Sequence, residues 1–336
     1  MVVLLFHRGG IGDIVFGLPL IEDLRRAFPD ARLVVLTHAQ GEQVLRFCPR
    51  IDRIIAAGEM DGRWSVGEAR SRLEGEVFDI ALSTSLSPRA AYLMWRTGAG
   101  VRVGFSAGVG RALWTHRAPL RPFEVVFSRR YQRLAAALGI PATAELPKLE
   151  IPQKRREEAR ARLRQLGWND RAPLISVHVG GGWPTKQWPV EHMAALAQLA
   201  RQRHGATVLL QGGRGDRERA NSIASSAKGL VLISVGNSIS DAIAESAVCS
   251  VAIGIDSGLS HAAAACGTPT VFLFGPNEPK SMIASPSRLI LTRNLECRPC
   301  NRAGRWRCPL MHHRCMREHS PESVLDAASP WILPRA

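Results

Sequence analysis

The chain has 336 residues, 46% of them hydrophobic, and its 44 Lys plus Arg against 29 Asp plus Glu leave a formal charge of +15. That length suits two domains of about 150 residues better than one core, and an excess carried by arginine, since only five of the basic residues are lysine, points to anionic partners. The apolar runs stop short of the roughly 18–20 residues that span a bilayer, no basic segment or small-residue cleavage site marks MVVLLFHRGG as a leader, and no motif interleaves aromatics with the basic runs as in nucleic-acid binders, so a cytoplasmic protein without a nucleic-acid partner is expected.

Taken in order, VVLLF (2–6), ARLVVLTH (31–38), DRIIAA (52–57) and DIALST (79–84) read as buried strands separated by amphipathic segments such as GLPLIEDLRRAF. This is a βαβ rhythm. The first strand runs into HRGGIGDIVFGLP, a glycine turn that opens a helix. Such a turn presents backbone N–H groups to an anion, yet this one carries a carboxylate, Asp13. An NAD site fails twice: the next strand ends in Thr37-His38 where an acid for the ribose 2′-OH would stand, and Asp13 would face the pyrophosphate. Asp13 can cap the helix, serve catalysis, or do both. Arginines gather at 121, 129, 130 and 133, and again in PQKRREEARARLRQLGW (152–168), a charged helix ending at Gly167. That helix follows a domain boundary near 150, giving 1–150 and 151–336.

The rhythm restarts with APLISVHVGGGWP from 172, ATVLLQGG (206–213), LVLISVG (230–236), CSVAIGIDS (249–257) and TPTVFLFGP (268–276). The expected class is therefore α/β, with two Rossmann-like halves. In VHVGGGWPTKQWP, Gly180, Gly181 and Gly182 let backbone approach an anion, and Lys186, just after Thr185, supplies an ammonium. In IGIDSGLSHAAAACGTP, the residues Asp256, Ser257, Gly258, Ser260 and His261 open a small-residue helix whose first amides and dipole suit a diphosphate. A surface lysine and a satisfied core histidine are the bland alternatives. Of seven cysteines, four lie in CRPCNRAGRWRCPLMHHRC at Cys297, Cys300, Cys308 and Cys315. The C-x2-C-x7-C-x6-C spacing is not that of a common zinc ribbon, but four thiolates, or three with His312 or His313, could hold a structural zinc; reduced thiols packed in a loop are the alternative. SPESVLDAASPWIL, about 320–333, reads as a capped final helix.

GGIGDIVFGLP, GGGWPTKQWP, VLLQGGRGDRERA and DSGLSHAAAACGTPTVFLFGP together resemble, nearly end to end, the lipopolysaccharide heptosyltransferases of glycosyltransferase family 9. The resemblance implies a GT-B fold, two Rossmann-like α/β/α domains facing across a central cleft, with 1–150 taking the acceptor, 151–336 the nucleotide sugar, and the final helix packing back on the first domain. It further implies a metal-independent, inverting transfer of heptose from ADP-heptose to a phosphorylated glycolipid, the lipid A–inner core, with no cofactor required. Asp13 would be the general base, and Lys186, Ser257, Gly258 and His261 would stabilise the leaving diphosphate. Asp256 would orient loop amides or donor hydroxyls, Glu218 beside Gly212 would meet the ribose, and Ile239 the adenine. Arg102, Arg111, Arg129 and Arg130 are candidates for acceptor phosphates, and the charge suits peripheral attachment to the anionic inner face of the cytoplasmic membrane. Arg8-Gly9-Gly10 departs from the Ser-rich turn of many relatives, which bears on acceptor choice. Two other readings stay open: a GT-B transferase or epimerase using another sugar nucleotide, and a non-catalytic Arg-rich scaffold that binds membranes or anions.

Overall fold

The computed structural model describes residues 1–58, 64–120, 126–143, 146, 148–227, 231–279, 285–300 and 307–332. Arg121, Arg302, Arg305, the interior of the Cys-rich loop and position 333 lie outside the described residues. The chain divides into two units, Met1–Glu150 and Ile151–Ala336, each built on a six-stranded parallel sheet.

In the first unit the strands are β1 (Val2–Phe6), β2 (Arg32–Thr37), β3 (Arg53–Ala56), β4 (Ile80–Ser83), β5 (Val101–Phe105) and β6 (His116–Ala118), in spatial order β3-β2-β1-β4-β5-β6. They alternate with α1 (Ile11–Phe16), α2 (Leu18–Ala27), α3 (Ala39–Leu45), α4 (Val66–Arg72), α5 (Pro88–Arg96) and α6 (Phe127–Ala136). The second unit opens with α7 (Gln153–Gln165) and carries β7 (Leu174–His178), β8 (Thr207–Gly212), β9 (Val231–Val235), β10 (Val251–Ile255), β11 (Thr270–Phe274) and β12 (Arg288–Thr292), in the order β12-β11-β10-β7-β8-β9. Its remaining helices are α8 (Val190–His204), α9 (Arg217–Ser226), α10 (Ile239–Ser246), α11 (Gly258–Ala265), α12 (Arg314–Arg317) and α13 (Pro321–Ala328).

Helices on both faces bury the central strands completely, which is why VVLLF, LISVH and TVFLF read as unbroken apolar runs instead of alternating ones. Three strands lack that signal. Arg102 interrupts β5, and its Gly104 makes room for the Trp114 indole, since a Cβ there would lie 2.1 Å from the ring. β6 is three residues long with His116 and Arg117 exposed, and β12 is a half-exposed edge. In each sheet the winding reverses once, between β1 and β4 and between β7 and β10; the carboxyl ends flanking such a reversal form the usual ligand crevice of this architecture. The final helix, α13, packs its apolar face into its own unit: Val324, Leu325 and Ala328 are buried in the second core, against α8 and β11.

Candidate active site

Asp13 sits in the first turn of α1, directly beyond β1, and the Gly10 N–H donates to its Oδ2 at 2.9 Å. The capping role is thus real. Its other oxygen, Oδ1, accepts from the Tyr131 hydroxyl at 3.2 Å. Tyr131 arrives from α6, which packs on α1 and α2, and is 6% exposed; burial and the Asp13 charge push its hydroxyl up, so it is a protonated donor. The edge of the His7 ring meets the Tyr131 ring, with centroids 5.3 Å apart at 76°. His7 Nδ1 lies 2.8 Å from Thr84 Oγ1 beyond β4, so this bond crosses the winding reversal. Burial pushes His7 down to about 4 and keeps it neutral. Gly9 is needed because a Cβ there would lie 2.6 Å from the Asp13 Cβ, and Gly17 because one would lie 2.1 Å from His7 Nε2. His38, standing where a ribose-binding acid would, bonds instead to the Gly9 carbonyl at 2.8 Å.

The second unit assembles its own cluster at the β7/β10 reversal. Lys186 follows β7 and donates to Asp256 Oδ2 at 2.8 Å; His261, in the first turn of α11, donates to Asp256 Oδ1 at 3.0 Å; and Asn277, beyond β11, donates to Asp256 Oδ2. Burial opposes charge on Asp256, but the bonds from His261 and Lys186 outweigh it and hold the carboxyl well below the usual range. A carboxylate therefore collects three donors at a helix N-terminus, beside the amides of Ser257 and Gly258. Ser257 shares a hydrogen bond with Ser260 (3.0 Å), and Ser260 with His178 Nδ1 (2.9 Å). Ser260 is fully buried and acts behind Ser257, while burial pushes His178 down to about 3. Asn277, His178 and Tyr131 escaped the sequence reading; position just past β11 was the only local sign of Asn277.

The glycine turns also make room for protein atoms. A Cβ on Gly180 would lie 2.0 Å from Asp216 Oδ2 and one on Gly181 2.3 Å from Ile255 Cδ1, so these two glycines admit protein atoms, and Gly182 alone opens onto free space. Gly212 likewise faces Asp216, with 2.8 Å to Oδ2. Asp216 completes a repeat of the first loop: GGIGD (9–13) and GGRGD (212–216) each follow a strand, and the Gly213 N–H donates to Asp216 Oδ2 at 2.8 Å. Thr185 is buried, and its carbonyl accepts from His313. Glu218 (exposed) and Ile239 (half-buried) open α9 and α10 at the carboxyl ends of β8 and β9.

Among the described residues no group of three or more His, Cys, Asp or Glu is placed to hold a metal, so a zinc site at Cys297, Cys300, Cys308 and Cys315 is not confirmed. Cys315 is buried, which with the neighbouring Cys300 pushes its thiol up to about 11; with Cys300, Cys308, Lys186 and Asn277 it lines a cavity of about 50 Å³. Arg102 does not present itself to an acceptor: its guanidinium donates to the carbonyls of Leu113 (3.0 Å) and Ala99 (2.6 Å). Arg130 lies 5.4 Å over the Phe105 ring, whereas Arg111 and Arg129 are exposed.

The lipopolysaccharide heptosyltransferase 1 of Pseudomonas aeruginosa is 26% identical to this chain over 318 residues, 89% of this chain and 86% of that protein. Among solved structures, a glycosyl transferase family 9 protein from Veillonella parvula superposes with a TM-score of 0.86 at 22% identity (98% and 97% of the two chains). The ADP-heptose LPS heptosyltransferase II of Escherichia coli does so at 0.81, also with 22% identity (99% and 98%), so the two-unit α/β fold is that of the GT-B heptosyltransferases. The pattern of glycosyltransferase family 9 (heptosyltransferase) matches residues 66–307, and with more than half its length so matched the chain belongs to that family and is a glycosyltransferase.

Proposed function

We propose that the protein is an inverting heptosyltransferase that moves a heptose from ADP-heptose to a phosphorylated glycolipid of the lipopolysaccharide inner core. Within a family of heptosyltransferases, the observation that carries this reading is the ammonium of Lys186 held on Asp256, beside the Ser257 and Gly258 amides and His261, at the winding reversal of the second unit. Asp13 takes the proton of the acceptor hydroxyl as that oxygen bonds to the anomeric carbon. The bond from that carbon to the diphosphate breaks on the opposite face, and ADP leaves with the electron pair. Lys186, the two amides and His261 meet the charge that develops on the diphosphate, so the route runs on protein groups without a metal. Asp256 holds Lys186 and His261 in place and faces the donor hydroxyls. Glu218 with Gly212 contacts the ribose, and Ile239 the adenine.

The acceptor is lipid-borne, and the surface of the first unit favours an anionic membrane facing the cytoplasm. No Asp or Glu occurs between Asp79 and Glu124, a span holding six arginines. On α5, Tyr92 and Trp95 are 40% and 46% exposed, and Arg96 stacks on Tyr92; aromatic rings and arginines together suit a headgroup layer. Arg111 and Arg129 remain free to meet acceptor phosphates. Cosedimentation with anionic but not neutral vesicles checks this face.

Asp13→Asn separates cap from base, because the amide oxygen keeps the Gly10 bond while the base is lost. Turnover should fall by about 10²–10⁴ with ADP affinity and melting temperature unmoved; retained turnover would remove Asp13 from the chemistry. Titration with ADP, UDP and GDP in EDTA tests the donor: preference for UDP or GDP would keep the fold and discard ADP-heptose.

A further inference from the structure

Closing the glycine turn takes one carboxylate oxygen. The second unit shows this, since Asp216 secures GGRGD with the Gly213 N–H on Oδ2, the bond that Gly10 makes to Asp13. The first unit adds a donor that the turn itself does not require. Tyr131, 118 positions away, brings a buried hydroxyl to the remaining oxygen of Asp13. The ring is itself seated: His7 presses edge-on against it, and His7 is tied to Thr84 beyond the neighbouring strand. Gly17 leaves the room His7 needs.

We propose that Tyr131 is a positioning residue for the transfer: its hydroxyl fixes Oδ1 of Asp13, so that the carboxylate meets the acceptor hydroxyl in one orientation. This role rests on Asp13 being the general base. With the Gly10 N–H on Oδ2 and the Tyr131 hydroxyl on Oδ1, rotation about the Cβ–Cγ bond is blocked at both ends, and each oxygen keeps a lone pair for the incoming proton. A base held this way starts from near-attack geometry, where misplacement of about 1 Å costs on the order of 10²-fold in rate. Tyr131 stays protonated throughout and exchanges no proton with substrate; His7, neutral and buried, acts only as its wall.

The test is Tyr131→Phe, which keeps the buried ring and deletes one oxygen, measured alone and in the Asp13→Asn background. The expected single-variant result is a fall in kcat of about 10–100-fold, with KM for the donor and ADP affinity unchanged. In the Asp13→Asn background the same change should cost nothing further, because two residues acting through one group are not additive. An unmoved kcat in the single variant would reduce Tyr131 to packing and overturn the proposal. A loss that persists without the Asp13 carboxylate would overturn it as well, by showing that Tyr131 acts elsewhere. Full turnover in Asp13→Asn alone would instead remove the base assignment beneath it, a failure recognisable without Tyr131→Phe.

Discussion

Replacing Asp256 with Asn isolates the charge on which Lys186 and His261 converge. The pair is nearly dry, with side-chain exposures of 17% for Asp256, 19% for Lys186 and 6% for His261. Removing one member of a fully buried ion pair costs about 3–5 kcal/mol because the other charge is left uncompensated. Water still reaches a fifth of Lys186, so the lower end applies, about 2–3 kcal/mol, which for a unit of this size corresponds to a melting temperature lower by roughly 5–10 °C. The pH dependence has a definite sign. The Asp256 carboxyl is held below its ordinary value of 3.8 in the folded protein, so its contribution is complete above that value and is lost as pH falls through the folded one. The gap between wild type and variant should be constant from about pH 5 to 8 and close below about pH 4. Thermal melts followed by circular dichroism across that range measure it. A variant melting within a degree of wild type at pH 7 would show that Lys186 and His261 do not depend on this carboxylate.

Three further outcomes are expected. Lys186→Ala should weaken ADP binding by roughly 10–100-fold, the loss of one charge-assisted hydrogen bond of about 1.5–3 kcal/mol; an unchanged calorimetric Kd would take Lys186 out of the donor site. Gly9→Ala places a Cβ against the Asp13 side chain and should lower kcat by about 10–100-fold while leaving ADP affinity intact, as steady-state kinetics beside calorimetry would show. His7, pushed down to about 4 by burial, and His178, pushed down to about 3, stay neutral in the fold while the unfolded chain takes up protons near 6.5. Stability should therefore be complete above that value and fall as pH drops below it, each histidine removing on the order of 3 kcal/mol by pH 4. His178→Gln should flatten that slope in urea titrations, and an unchanged slope would mean that His178 titrates normally.

The strands that the sequence reveals are those with an apolar run, whether buried on both faces as VVLLF and TVFLF or at a sheet edge as β3 and β9, while β5, β6 and β12 carry Arg, His or Gly inside them. Lys186, Asp256 and His261 are legible because they follow strand ends by eight, one and six residues, and a parallel sheet gathers such ends on one rim. What the sequence leaves open is where side chains finish. Arginine counts do not show that the Arg102 guanidinium is consumed by the carbonyls of Ala99 and Leu113. Cysteine spacing does not show that Cys315 turns into the core while lining one cavity with Cys300 and Cys308. Nor does the sequence show that the missing Cβ atoms of Gly180 and Gly181 make space for Asp216 and Ile255.

GGIGD and GGRGD show why the chemistry itself lay beyond a local pattern. Both put a carboxylate at the same place in a turn and bond it to the same backbone N–H, at 2.9 and 2.8 Å. Five residues thus encode a capped turn, which suits any strand that must feed a helix. What can turn one copy toward proton transfer is a partner for the spare oxygen, and that partner comes from α6, at a distance in sequence no periodicity reports. Asp216 spends its carboxylate between Gly180 and Gly212, whereas Asp13 has a tyrosine seated on a neutral histidine. If the motif were sufficient, Asp216→Asn and Asp13→Asn should be equally damaging to turnover. If the tyrosine makes the difference, Asp216→Asn, whose amide oxygen keeps the Gly213 bond as that of Asp13→Asn keeps the Gly10 bond, should leave kcat within a few-fold of wild type while Asp13→Asn loses turnover.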